Sequence, residues 1–285
     1  MSSDPGTNLG VFKLRDVVIF EFAGRRANME LQMPLFRRIL DEHPNVTVHI
    51  WNMARTWDDN QYLRSLPPQD RIIVSHDFYG QKFNDIWRHY ALSRYQDHLI
   101  VKIDDDVVFF ETERFGDFLK VVEDNRDYVV SAKVINNGAS TRIDLPLWRS
   151  FKAMNLPLLD VHRSRDYADM AHTYAFDHWD ELIGQPLAPM QTEDWVSINL
   201  VAVDHPMMCR IVDKLDKTSP SIVAGRKPRW PERMGDEGSV NTLPRLICQG
   251  FLAVHLGFGP QCLTDDQCML WRKRYGELIE RYLAA

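Results

Sequence analysis

Leu99-Ile100-Val101-Lys102-Ile103-Asp104-Asp105-Asp106-Val107-Val108-Phe109-Phe110 is the stretch on which the reading of this chain turns. Its first half, apolar and rich in β-branched residues, reads as a buried strand. The strand ends on three consecutive carboxylates, and a second apolar run follows at once. Adjacent carboxylates repel, and burial raises the cost of their charge unless a cation compensates it. An acidic triplet is also what a solvated turn or a cap would use, but a solvated turn rarely sits between two buried runs. The stretch therefore predicts oxygen ligands offered to a divalent metal at a strand end. Mg²⁺ and Mn²⁺ suit such ligands, because both bind through a few carboxylates, retained waters and substrate phosphates.

Strands and helices alternate on the N-terminal side. Val17-Val18-Ile19-Phe20 reads as a buried strand that runs into the basic turn Ala23-Gly24-Arg25-Arg26. A helix is predicted over residues 28–42, with Pro34 forcing a late start or a kink. Residues 46–51 and 72–75 read as further strands, separated by a helix near 58–66 that Pro67-Pro68 ends. Apolar residues at helical spacing over 83–95 lead into the Leu99 strand, and Thr112-Glu113 opens a helix before strand-like residues 128–134. The pattern predicts an α/β fold, a three-layer α/β/α sandwich with a mostly parallel central sheet. Ligands bind such sheets beyond the carboxyl ends of the strands. The acidic triplet, Gly24-Arg25-Arg26, Asn52 and His76-Asp77 all fall at that edge.

Between residues 136 and 189 the alternation fades, and a segment rich in Trp, His, Asp and Pro reads as irregular surface. A strand over 196–203, a helix over 207–215, a basic loop over 224–233, a strand over 251–255 and a closing amphipathic helix over 271–283 complete the pattern. No repeat or low-complexity linker interrupts it. One domain over residues 11–285 is expected after a flexible N-terminus, residues 1–10.

The bulk properties narrow the function. In 285 residues, 45% hydrophobic, 34 Lys plus Arg face 40 Asp plus Glu for a net charge of -6. That balance gives no general attraction toward nucleic acid or anionic membrane. Four cysteines without CxxC spacing read as reduced thiols. Neither a leader-like apolar segment nor a bilayer-length apolar run is present, so a soluble, cytoplasmic protein is expected.

Two later features fit the triplet. Gly235-Asp236-Glu237-Gly238 opens a helical pattern through Val240, Leu243 and Leu246, and His255 ends the apolar run Phe251-Leu252-Ala253-Val254. A carboxylate at a helix start serves equally well as a charge at the helix N-terminus, and a lone His at a strand end is commonly structural. Taken in chain order with Lys102-Ile103-Asp104-Asp105-Asp106-Val107-Val108-Phe109, however, they make the sequence resemble the GT-A glycosyltransferases. In that family a DxD motif ends a central strand and binds a nucleotide-sugar diphosphate through a divalent metal.

The resemblance implies an enzyme, a hexosyltransferase-like transferase that moves a sugar from a nucleotide-sugar donor, UDP-sugar favoured, to a hydroxyl acceptor. Asp236 and Glu237 would face the acceptor, one of them as base if the reaction inverts. Glu193 and Asp194 form a reserve acidic pair. Asp104, Asp106 and His255 would hold Mn²⁺ or Mg²⁺. The donor would meet Arg25, Arg26, Asn52, Asp77, Arg88, Asp104 and Asp105, with Lys82 a further candidate. The acceptor stays open among glycan, protein, small molecule and modified nucleic acid. Arg226-Lys227-Pro228-Arg229-Trp230 mixes basic and aromatic groups as a lid or acceptor grip would. His162, His172 and His178 lie among several aspartates without the spacing of a metal motif. Two other functions fit an aspartate-rich α/β sheet: a Mg-dependent nucleotidyltransferase or phosphohydrolase, and a non-catalytic nucleotide- or carbohydrate-binding protein.

Overall fold

The computed structural model describes residues 15–77, 83–228 and 231–285. The chain runs β1 (Val17–Ala23), α1 (Arg26–Glu42), β2 (Val46–Asn52), α2 (Trp57–Ser65), β3 (Ile72–Ser75), α3 (Phe83–Tyr90), β4 (Leu99–Asp104) and β5 (Val107–Phe110). It continues through α4 (Phe115–Asp124), β6 (Val129–Ile135), α5 (Gly138–Ile143), α6 (Leu145–Ala153), α7 (Arg165–Asp177), α8 (Trp179–Leu182) and β7 (Pro189–Gln191). The last elements are β8 (Leu200–Asp204), α9 (His205–Lys214), α10 (Asp236–Asn241), β9 (Arg245–His255) and α11 (Asp265–Ala284).

One sheet gathers the nine strands of the described residues in the order β3-β2-β1-β4-β8-β6-β9-β5, with β7 added beside β9. β1 lies between β2 and β4, parallel to both, and all seven of its residues are buried, as a strand covered on both faces requires. Side chains alternate between the faces. Val17 and Ile19 of β1 join the core that contains α1 and α11, whereas Val18, Phe20 and Phe22 join a second core with α3, α9 and α10. β4 divides the same way: Leu99, Val101 and Ile103 face the first core and Ile100 the second.

The expected mostly parallel sandwich is wrong in the second half of the sheet. β8 enters between β4 and β6 antiparallel to both, and β5 and β7 each pair antiparallel with β9. The sheet is mixed, and it curls into a half-barrel instead of staying open and flat. Its shape and strand order differ from those expected of a GT-A fold, so the resemblance to that family is overturned, and the DxD and nucleotide-sugar assignments that rest on it fall too. The pattern of residues 196–203 did identify a strand, but pattern alone carries no strand direction. Residues 136–189 are not irregular either: they form α5, α6, α7, α8 and β7.

Two packing features give sharp expectations. In β9 a Cβ built on Gly250 would sit 2.3 Å from the Pro186 carbonyl oxygen and 2.6 Å from that of Gln185. Both obstacles are backbone, so Gly250→Ala has to displace the 185–186 segment. A loss of about 1–3 kcal/mol is expected from such overpacking, read as a lower urea midpoint. His172 of α7 is fully buried, with Nε2 at 2.8 Å from the Leu256 carbonyl and Nδ1 at 3.0 Å from the Tyr275 hydroxyl. Burial pushes its pKa down to about 4. The folded value lies below the unfolded one, so the unfolded chain takes up the proton first as pH falls. Stability is therefore whole above about pH 6.5 and drains away toward pH 4, by about 3 kcal/mol from this group. Urea midpoints measured across that range should fall less in His172→Gln than in the parent.

Candidate functional site

Beyond the ends of β1 and β4 a cavity of about 710 Å³ opens on the sheet face covered by α3, α9 and α10. Phe22, Lys102 and Asp104 form its floor, and Asp236, Glu237, Trp195, Arg226, Arg233 and Phe258 stand among its walls. Lys102 and Asp104 reach the same face because they are two apart on one strand. The ammonium of Lys102, 2% exposed as a side chain, lies 2.6 Å from Asp104 Oδ1 and donates to the Ile198 carbonyl at 2.7 Å. Asn199 Nδ2 donates to the other oxygen of Asp104 at 3.2 Å.

The acidic triplet divides after Asp104. Asp105 turns back toward β1, where its carboxylate accepts from the Gly24 amide at 2.8 Å and from Arg25 Nη1 at 2.7 Å. The same Arg25 nitrogen reaches Asp106 Oδ2 at 3.0 Å. Asp106 Oδ1 lies 3.3 Å from His255 Nε2, without the geometry of a hydrogen bond. Three clustered carboxylates cannot ionise equally. Burial opposes the charge on Asp106, but His255, Arg25 and Lys102 outweigh it and hold the group well below the usual carboxylate range. Asp104 and Asp105 are pushed up, first by burial and then by the charge on Asp106, against the pull of Lys102 and Arg25 respectively.

The compensating charge that the triplet demands thus comes from the protein itself. Among the described residues no group of three or more His, Cys, Asp or Glu side chains is arranged to hold a metal ion. Asp104 is occupied by Lys102 and Asn199, and Arg25 already bridges Asp105 and Asp106. Only Asp104 of the three expected ligands lines the cavity; Asp106 and His255 do not. In this arrangement Asp104 is held by Lys102, while Asp106 lies between Arg25 and His255 outside the cavity lining.

On the opposite wall α10 presents Asp236 and Glu237. Asn241 ties this short helix to the segment before β8, accepting from the Val196 amide at 2.7 Å and donating to the carbonyls of Val196 and Glu237. That tie brings Trp195 to α10, and its indole Nε1 donates to Glu237 Oε1 at 2.8 Å. The Trp87 indole from α3 donates to Asp236 Oδ2 at 3.2 Å, and the Glu237 amide donates to Asp236 Oδ1 at 2.8 Å. Each carboxylate is aimed by its own tryptophan. Glu237 Oε2 has no partner among the described residues. Glu237 is solvent-exposed at the cleft edge, and partial desolvation by the protein beside it raises its pKa, opposed by the Trp195 hydrogen bond and reinforced by the charge of Asp236.

The reserve pair lies outside this cavity. Arg142 binds Asp194 at 2.7 Å, and Arg245 holds the carbonyls of Glu193 and Asp194. Of the seven donor candidates only Asp104 lines the cavity; Arg25 and Asp105 pair with each other, and the remaining four are held elsewhere. Arg26 pairs with Glu30 on the surface, Asn52 bonds Asn60 and His76, Asp77 is exposed beside Ser75, and Arg88 is held by Asp85 and Asp216. Arg88 reaches the cavity only indirectly, since Asp216 also binds Arg233 at 2.9 Å. Lys82, Arg229 and Trp230 lie outside the described residues. The sequence reading overlooked Lys102, Trp87, Trp195 and Asn199. For Lys102 the signal was present, a charge at i-2 from Asp104 inside an otherwise apolar strand.

No helix among the described residues is long and apolar enough to cross a membrane. No protein-family model matches the sequence, and no curated protein matches it either.

Proposed function

We propose that this cavity is the active site of an enzyme that transfers a sugar from a phosphate-activated donor to a hydroxyl acceptor. The observation that carries the reading is the carboxylate pair of Asp236 and Glu237, each oriented by a tryptophan indole inside a cavity with aromatic and cationic walls. Glu237 takes the acceptor's hydroxyl proton on Oε2, the oxygen that the Trp195 indole leaves unoccupied. The freed oxygen forms a bond to the anomeric carbon, and the bond from that carbon to the donor phosphate oxygen breaks, its electron pair leaving with the phosphate. Arg226, Lys227 and Arg233 supply positive charge for that departing group. Phe22, Phe83, Trp195 and Phe258 offer apolar ring faces to the sugar. The four cysteines, all free, are in keeping with a reducing, cytoplasmic setting.

Calorimetric titration with uridine, guanosine and cytidine diphosphates, with and without Mn²⁺, tests the phosphate side. At least one should bind, and Arg226→Ala combined with Lys227→Ala should weaken that binding by about tenfold or more. Failure of every phosphorylated probe to bind counts against the proposal.

A further inference from the structure

Below the acidic turn lies a buried group to which no step above assigns a role. Glu21, on β1, is fully buried, and neither of its carboxyl oxygens has a hydrogen-bond partner. Against it stands the side chain of Gln32 from α1, also fully buried and within hydrogen-bonding reach. Gln32 Nε2 donates to the Asp104 carbonyl at 2.9 Å and to the Val107 carbonyl at 2.8 Å, so it spans the turn that carries Asp105 and Asp106. Those two bonds fix the amide: turned over, its oxygen would face two carbonyl oxygens and lose both. Gln32 Oε1, which has no partner either, is left on the side away from the turn. Three buried acceptor oxygens on these two neighbouring side chains are therefore left without a donor, an arrangement that native interiors avoid.

One proton resolves all of it. We propose that Glu21 is a neutral carboxylic acid that donates its proton to Gln32 Oε1, and that the pair is a positioning device holding the Asp104–Val107 turn in place. As an ion Glu21 would be a buried charge with no cation beside it, next to three aspartates already in excess of their partners. Burial first, and then the charges of Asp105, Asp104 and Asp106, raise its pKa well above the carboxylate range and outweigh the Gln32 side chain, which acts the other way. As an acid it locks the orientation of an amide that in turn pins both ends of the turn. The positioning role rests on the reading of the cavity as an active site, whereas the protonation does not.

The protonation is tested by carbon-13 NMR of the side-chain carboxyl of Glu21 in the full chain, assigned through its own backbone. At neutral pH the carboxyl should show the chemical shift of a protonated acid. A carboxylate shift at neutral pH overturns the proposal whether or not the enzyme reading survives. The positioning role is tested by two substitutions. Glu21→Gln, which copies the shape and the donor of the neutral acid, should keep the parent melting temperature and turnover. Glu21→Ala should lower kcat by tenfold or more with a smaller change in KM. A Glu21→Gln protein as damaged as Glu21→Ala would show that the position needs a charge and would overturn the assignment. Should the parent turn over no donor, the NMR result and the melting temperatures still decide it.

Discussion

Glu237→Gln is expected to lower turnover by about 10²–10⁴-fold, the usual contribution of a positioned general base, while the protein stays folded. The amide retains an oxygen to accept from Trp195, so the geometry of α10 survives the change. What disappears is an oxygen able to take a proton at Oε2. kcat should fall and KM move little, because the lost interaction is one made as the acceptor loses its proton. In the parent, the rate should rise with pH through the ionisation of Glu237, displaced upward from an ordinary glutamate by partial desolvation and the charge of Asp236. That limb should vanish in Glu237→Gln. Asp236→Asn, with a carboxylate held between Trp87 and the Glu237 amide, should cost less.

Lys102→Met should be the most damaging change to stability among the cavity residues. The lysine is almost completely buried, and its ammonium serves both Asp104 and the Ile198 carbonyl. Methionine fits the stem but leaves the partly buried Asp104 carboxylate without its cation. Breaking such a pair from one side costs about 3–5 kcal/mol, or a melting temperature lower by of order 10 °C. The double substitution Lys102→Met with Asp104→Asn removes both charges and should recover part of that loss. If Lys102→Met melted with the parent, the charge of Asp104 would have to be balanced by something other than Lys102.

The two predictions show what was legible in the sequence. The buried strands β1 and β4 announce themselves as apolar runs, and their odd and even residues sort onto the two cores as a period of two requires. The acidic triplet was correctly read as charge in need of a cation. The pairing with Arg25 was out of reach because Arg25 lies 80 residues from Asp105 along the chain, a distance that no local pattern spans. Strand direction was equally out of reach: Leu200-Val201-Ala202-Val203 looks the same in either orientation, yet its reversal in β8 helps turn the expected flat sheet into a mixed, curled one. The helices within 136–189 were more nearly visible. α5, α6 and α7 each follow a capping side chain, Asn137, Asp144 and Ser164, and α6 carries a proline in its first turn. Their shortness and mixed polarity hid them behind the scattered Trp and His residues.

Whether Asp236 and Glu237 work on a sugar donor is decided by incubating the parent chain and Glu237→Gln with a panel of phosphate-activated sugars, from sugar 1-phosphates to nucleotide-linked ones, with Mn²⁺ present or absent, and following donor loss by mass spectrometry. Slow hydrolysis of at least one donor by the parent, with water in the acceptor's place, and its near abolition in Glu237→Gln are predicted. No consumption of any donor, or equal consumption by both proteins, would contradict the account.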